Sequence, residues 1–336
     1  MPKLCVMPGD GVGQEVIPAA VQILQAAMPD VQIVEAEAGW GAYQKTGESL
    51  PEETLKAICD CGAGLFGAVQ SPARKIEGYR SAILTLRKEF DLYANVRPVV
   101  SLPNISPRDG IDLIIMRENS EGLYIQRERL EGETAIAERV ITRKASTRIA
   151  RKTVGLMRML GRKKMTIVHK ANVLPLTDGL FRNAVREVAE GVKMDELLVD
   201  VAALKMLEDP ARFDVIITTN LFGDILSDAA AYWGGGLGYA PSLNWGDDFA
   251  IAEPVHGSAP DIAGQGVANP IAAVLSAALL VRFVWKRQAI ADRIERAVST
   301  VLSERPELVQ PGSVSTQRIT EAILTEVDIL NKKSNK

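Results

Sequence analysis

In the stretch NLFGDILSDAAA (220–231), Asp224 and Asp228 stand four residues apart at the start of an expected helix, so both carboxylates leave one face. Like charges at that spacing repel. A divalent cation would turn the repulsion into binding, because hard oxygen ligands suit Mg2+ or Mn2+. The alternative is that acids in the first turn simply compensate the helix dipole. A basic set complements the pair: Arg87 in LTLRKEF, Arg97 in ANVRP and Arg117 in IMREN each lie near the end of an expected element. Arg117 also interrupts the buried-strand character of DLIIM. Arginines that converge on one pocket grip carboxylates bidentately, whereas dispersed ones are solvated surface residues. Tyr124 follows a tight turn in ENSEGLY, and Lys170 ends the apolar run TIVHK. A lysine there either serves as a general base or reaches from the strand edge into water.

The elements that must position these groups alternate along the chain. Strand-like segments at 31–37, 63–69, 112–118, 164–170, 213–219 and 249–255 interleave with helical ones at 15–27, 52–59, 144–160, 179–189, 223–231, 271–284 and 289–302. That alternation predicts an α/β fold. The charged, partly β-patterned segment 125–144 reads as a projecting hairpin or arm, or as a solvated surface hairpin. A first strand at 4–7 leads into Gly9-Asp10-Gly11-Val12-Gly13 and then a helix. A dinucleotide fingerprint requires G-x-G-x-x-G. Here the spacing is G-x-G-x-G, with Asp10 where phosphates would lie, although Glu35 and Glu37 stand where a ribose-binding acid is expected. The spacing favours a plain strand–turn–helix.

The chain of 336 residues allows two domains or one large one, and its net charge of -3 argues against nucleic-acid binding driven by bulk charge. No basic leader precedes an apolar run, so no secretory signal is expected. The most apolar window, 271–281, ends at Arg282 and is too short to span a membrane. Cys5, Cys59 and Cys61 have neither zinc-site nor redox spacing, which fits reduced thiols in a cytoplasmic protein.

The segments GDGVGQE, LYANVRP, RENSEGLY, HKANVLPLTDGLF, TTNLFGDILSD and EPVHGSAPDIAGQGVANP, in that order within residues 1–281, resemble the β-decarboxylating dehydrogenases, the isocitrate/isopropylmalate dehydrogenase family. RENSEGLYIQRERLEG, SPARKIEGY and HGSAPDIAG are most similar to the NAD-dependent homoisocitrate dehydrogenases. The resemblance implies an isopropylmalate-dehydrogenase-like fold of two domains on a large mixed sheet, not a Rossmann fold. Residues 1–97 and 244–336 would form a first, cofactor-binding domain; 98–243 would carry the substrate and metal sites, the dimer interface and the arm.

Roles follow by the same resemblance. Ser81, Arg87, Arg97, Arg117 and Asn172 would bind the substrate together with Tyr124 and Lys170. Lys170 would help deprotonate the substrate hydroxyl, and Tyr124 would protonate the enolate left by decarboxylation. Asp224 and Asp228 would hold Mg2+ or Mn2+ with Asp200, where Asp200 and Lys170 come from the other subunit of a homodimer, possibly within a tetramer. After Asp200 the run VAALKML departs from the asparagine or alanine, and then methionine, usual in the family. NAD would lie along Glu253, His256, Gly257, Ser258, Ala259, Asp261 and Asn269, with Asp261 accepting from the ribose hydroxyls and excluding a 2′-phosphate. The implied reaction is NAD-dependent oxidative decarboxylation of a 3-carboxy-2-hydroxy acid, homoisocitrate to 2-oxoadipate and CO2, as in lysine biosynthesis. Isocitrate and then 3-isopropylmalate are the alternatives, and a non-catalytic regulatory subunit is the reading from another class. Helical spacing back from Arg87 puts Ser81, Ile83 and Leu84 toward the substrate's γ substituent.

Overall fold

The computed structural model describes residues 1–70, 72, 74, 76, 78–310 and 312–334. Ser71, Ala73, Lys75 and Glu77, within the SPARKIEGY stretch, lie outside the described residues, as do Pro311, Asn335 and Lys336. The strands are β1 (Lys3–Gly9), β2 (Gln32–Glu35), β3 (Ala63–Ala68), β4 (Ala94–Val100), β5 (Asp112–Glu118), β6 (Glu128–Glu131), β7 (Thr134–Ala137), β8 (Lys164–His169), β9 (Lys193–Leu198), β10 (Val215–Thr218), β11 (Pro241–Trp245) and β12 (Ala250–Pro254). The helices are α1 (Gly13–Ala27), α2 (Trp40–Thr46), α3 (Glu52–Cys61), α4 (Ala82–Glu89), α5 (Arg143–Leu160), α6 (Thr177–Val188), α7 (Val199–Glu208), α8 (Asn220–Ala231), α9 (Ile271–Leu279), α10 (Gln288–Glu304) and α11 (Thr316–Ser334).

Ten strands form one sheet in the order β2-β1-β3-β12-β11-β4-β5-β10-β8-β9, and β6 pairs with β7 as a separate hairpin. The sheet is mixed: β11 runs antiparallel to β12 and β4, β4 runs antiparallel to β5, and the other pairings are parallel. This is the large mixed sheet that the resemblance implied, and the β6–β7 pair gives segment 125–144 its hairpin.

Side-chain alternation explains why the sheet is covered on both sides. Leu4 and Val6 face one core, Cys5 and Met7 the other; Ile114 and Met116 face the first, Leu113 and Ile115 the opposite side. The first core runs beneath the whole sheet, whereas the opposite face carries two separate apolar clusters, one around β1, β3 and α4 and one around β5, β10 and α7. Between those clusters the same face presents Asn244, Asn95 and Arg117, since Leu243, Ala94, Val96 and Met116 turn to the continuous core. The gap between the two clusters is where polar chemistry is placed.

Three strands escape the sequence pattern. β9 is half-exposed with Lys, Asp and Glu among its residues, and β4 and β11 carry Pro, Asn and Arg that break apolar alternation. Helices α2, α7 and α11 likewise escape it, whereas α4 forms where the helical spacing back from Arg87 places it; α7 begins directly where β9 ends, leaving no turn signal between them.

The glycine turn after β1 is a packing device. A Cβ on Gly11 would lie 2.0 Å from the Ser258 carbonyl oxygen, and one on Gly13 would lie 2.1 Å from that of Pro8. Asp10 accepts from the N–H groups of Trp40 (2.7 Å), Gly41 (2.8 Å) and Gln70 (2.8 Å), so its charge meets the N-terminus of α2. Gly13→Ala should therefore destabilise the chain by about 2 kcal/mol, the overlap outweighing a helix-propensity gain of up to about 1 kcal/mol. Urea unfolding reads this directly; an unchanged or raised midpoint would mean that the β1–α1 turn has slack.

Candidate active site

Arg117 sits at the end of β5, 1% exposed. Helix α8 crosses it at Gly223, where a Cβ would come within 2.6 Å of the Arg117 side chain, so only glycine allows the approach. The guanidinium donates to Asn220 Oδ1 from Nε (3.1 Å) and Nη2 (2.7 Å), and Nη1 donates to Asp224 Oδ1. Arg97, two residues beyond Asn95 on β4, donates from Nη1 to Ser227 Oγ (2.6 Å) and Asp228 Oδ1 (2.9 Å); its Nη2 lies 3.3 Å from Asp224 Oδ1. Tyr124 donates its hydroxyl to Asp224 Oδ2 at 2.5 Å, and the Arg117 guanidinium lies 5.0 Å from its ring centre. Arg87, near the end of α4, pairs with Glu253 at 3.2 Å and keeps a buried Nε without a partner among the described residues.

The charges shape one another. Burial, then the like charges of Arg87 and Arg97, push the Arg117 guanidinium down to about 10, so it remains charged at neutral pH. Burial raises the Asp224 carboxyl, but Arg117, the Tyr124 hydroxyl and Arg97 more than offset this and hold it below the usual carboxylate range. Asp228 moves the other way: burial and the neighbouring Asp224 outweigh Arg97. Burial and the bond to Asp224 raise the Tyr124 phenol above its ordinary value, so it is a group with a proton to give.

A single chain brings Arg97, Arg117, Tyr124, Asp224 and Asp228 together, with Arg87 within electrostatic reach. It does not bring Lys170 and Asp200 to them. Those two pair with each other at 2.6 Å, where β8 ends and α7 begins. Among the described residues no three carboxylate, imidazole or thiol side chains group closely enough to hold a metal. The donor chemistry of Asp224 and Asp228 nonetheless suits a hard dication: two carboxylates from one helix face, 32% and 53% exposed, met by Arg97, Arg117 and the Tyr124 hydroxyl. Asn172 is exposed near Lys170.

The 253–270 loop lies against the glycine turn through Val12 N–H to Ser258 O (2.9 Å). Ser258 is buried, Gly257 and Asp261 are exposed, and Ala259 takes a left-handed φ of +37°. Burial holds the His256 imidazole below its ordinary value despite a contact with the Gly257 carbonyl. Asn269 accepts from Ile271 N–H at 3.0 Å. Glu253 faces Arg87 and Asn244. Ser81 precedes α4 and makes no side-chain cap bond. Ile83 and Leu84 are both half-buried on α4, and Ile83 also packs against the apolar cluster around β1 and β3. Asn220, Ser227, Asn95 and Asn244 belong to the same polar cluster, and only their position in otherwise apolar segments could have marked them.

The family model for isocitrate/isopropylmalate dehydrogenase matches residues 3–323. An isocitrate/homoisocitrate dehydrogenase of Thermus thermophilus is 51% identical over 96% of this chain and 97% of its own. A 3-isopropylmalate/3-methylmalate dehydrogenase of Methanocaldococcus jannaschii is 46% identical over 97% of this chain and 99% of its own. The crystal structure of an isocitrate dehydrogenase from Methylococcus capsulatus superposes with a TM-score of 0.92 at 40% identity, over 98% of this chain and 100% of that one.

The turn that carries Tyr124 is tied down by Glu121, whose carboxylate accepts from Thr142 N–H (2.7 Å) and Oγ1 (2.9 Å). Burial, with Glu118 adding, pushes the Glu121 carboxyl up to about 7, against the pull of Thr142 and Arg148. A carboxyl raised from 4.5 binds its proton more tightly when folded, so its contribution is complete below about pH 4.5 and is lost as pH rises through about 7. The unfolding free energy of the wild type relative to Glu121→Gln should fall across that interval and level off above it. A pH-independent difference, measured by urea titration, would contradict this.

Proposed function

The chain belongs to the isocitrate/isopropylmalate dehydrogenase family, and on that premise we propose that it catalyses NAD-dependent oxidative decarboxylation of a 3-carboxy-2-hydroxy acid, with homoisocitrate preferred. The observation that carries the reading is the Tyr124–Asp224–Arg117–Arg97 cluster: a protonated phenol beside two guanidiniums and two carboxylates on one helix face. When bound, the nicotinamide supplies a hydride acceptor, and a divalent cation held by Asp224 and Asp228, with Asp200 of a second subunit, supplies a Lewis acid. Arg87, Arg97 and Arg117 hold the substrate carboxylates by charge-assisted bonds. Lys170 of the second subunit takes the hydroxyl proton as C2 loses hydride, which makes the 3-carboxylate that of a β-keto acid. Loss of CO2 leaves the C–C bond pair as an enolate, and Tyr124 gives its proton to C3.

A second copy is supported by what one chain lacks and what it exposes. Lys170 and Asp200 stand apart from Asp224, while Leu204 (52% exposed) and Leu207 (60%) on α7 and Ile225 (59%) on α8 are uncovered. Burying such a face against its twin would bring each Lys170 to the opposite site. The proposed division into 1–97 with 244–336 and 98–243 has its boundaries inside the antiparallel strands β4 and β11.

Substrate choice rests on α4. Ser81 at its start makes no cap bond with its hydroxyl, and Leu84 offers an apolar wall that an additional methylene would fill. Asp261 is an exposed carboxylate suited to a ribose diol and repulsive to a 2′-phosphate. Homoisocitrate, isocitrate, isopropylmalate, tartrate and malate, each with NAD and NADP, should rank homoisocitrate first, isocitrate second and isopropylmalate a poor third, with NAD far ahead. A methylene contributes about 1–3 kcal/mol, so isocitrate should remain a substrate. Isopropylmalate in first place would overturn the substrate reading, and no activity on any acid would favour a non-catalytic subunit. Shared sites have their own test. Lys170→Met and Asp224→Asn homodimers should each be inactive, and refolding them together should restore about one quarter of wild-type activity, from one intact site in each mixed dimer. No restoration would place Lys170 outside the partner's site.

A further inference from the structure

Arg97 and Arg87 lie on different elements, β4 and α4, yet a chain of side-chain hydrogen bonds joins them. Arg97 Nε donates to Asn95 Oδ1 (2.7 Å), and Asn95 Nδ2 donates to Asn244 Oδ1 (3.0 Å). Asn244 Nδ2 donates to Glu253 Oε1 (2.8 Å), which also accepts from Arg87 Nη2 (3.2 Å). Asn244 Oδ1 takes a second bond from Asn119 (2.9 Å), and its Nδ2 reaches the Ile251 carbonyl (3.3 Å). Asn95 and Asn244 are both 0% exposed.

Asn244 thus uses both lone pairs and both N–H groups. Its orientation is forced from both ends, because a guanidinium can only donate and an ionised carboxylate can only accept. Turning the amide over would set N–H against N–H at Asn95 and oxygen against oxygen at Glu253. The sheet makes this row possible. Ile251, Asn244, Asn95 and Arg117 are register partners across β12, β11, β4 and β5, running from the edge of the β1–β3 cluster at Ile251 across the polar gap. A purely structural polar knot would be closed, but this one ends in Arg87, whose buried Nε has no partner among the described residues.

We propose that Asn244 is a positioning residue that sets Arg87 and Arg97 as one unit with Glu253, so that ligand binding at the nicotinamide side and carboxylate binding by the arginines reinforce each other. This rests on the functional reading above, since it takes those arginines as the substrate grip.

Asn244→Ala and the milder Asn244→Ser should raise KM for the preferred acid about tenfold or more while kcat changes by less than about threefold. Calorimetry should show that NADH no longer tightens acid binding. Asn244→Asp sets a like charge beside Glu253, so its KM defect should shrink as pH falls toward about 5, whereas that of Asn244→Ser should not. Unchanged KM and intact coupling in a folded variant would overturn the proposal, as would a kcat lost in proportion to misfolded protein at constant KM. One readout is independent of turnover: Glu253→Gln should move the Arg97 Nε–H resonance in an NMR spectrum, and Asn244→Ser should abolish that effect. If the wild type oxidises no acid, the functional reading fails on its own while this resonance still decides the relay. An unmoved resonance overturns it.

Discussion

A guanidinium buried at the end of β5 cannot be left without counter-charge. Arg117 is excluded from water beside two other arginines, and removing an ion from water costs several kcal/mol unless charge and hydrogen bonds replace the lost hydration. Helix α8 meets that demand with its first turn: Asn220 covers Nε and Nη2, Asp224 covers Nη1, and Gly223 lets the helix come close enough. Once α8 is held there, Asp228 and Ser227 fall one turn further along, opposite Arg97, and the Tyr124 hydroxyl finds Asp224. The geometry of the cluster follows from neutralising one buried cation.

The sheet sets the frame for that pairing. Apolar residues fill one face throughout and two patches of the other, so the uncovered strip between the patches accepts polar side chains without opening the core. A polar group in the strip must be hydrogen-bonded. Asn244 is satisfied by Asn95 and Asn119 on one side and by Glu253 and the Ile251 carbonyl on the other, which stiffens the strip at the point where the antiparallel strands β4 and β11 cross it. The loop 253–270 and the glycine turn close one side, and the Glu121–Thr142 clamp holds the Tyr124 turn on the other.

Within a single chain the charges are already matched. Arg97 and Arg117 bind Asp224 and Asp228, and Lys170 pairs with Asp200. Opposite charges meeting in this way keep the buried guanidiniums from being left unpaired.

Composition and apolar periodicity by themselves determined the α/β class and most buried strands, because burial on both faces leaves runs such as LCVM and DLIIM that no other element explains. The spacing G-x-G-x-G sufficed to reject the dinucleotide fingerprint, and the four-residue interval of Asp224 and Asp228 sufficed to put two carboxylates on one helix face. Motif order carried the family and the identity of the residues at the site. Tertiary structure alone decided that β4 and β11 are central strands, since their Pro, Arg and Asn residues are tolerated only where neighbouring strands answer them. It decided that Lys170 and Asp200 stand apart from Asp224, and that two asparagines and a glutamate link two arginines. These are relations between residues up to 166 positions apart in the chain, as with Arg87 and Glu253. Local pattern records which side chain faces inward, and only the folded sheet records what it meets there.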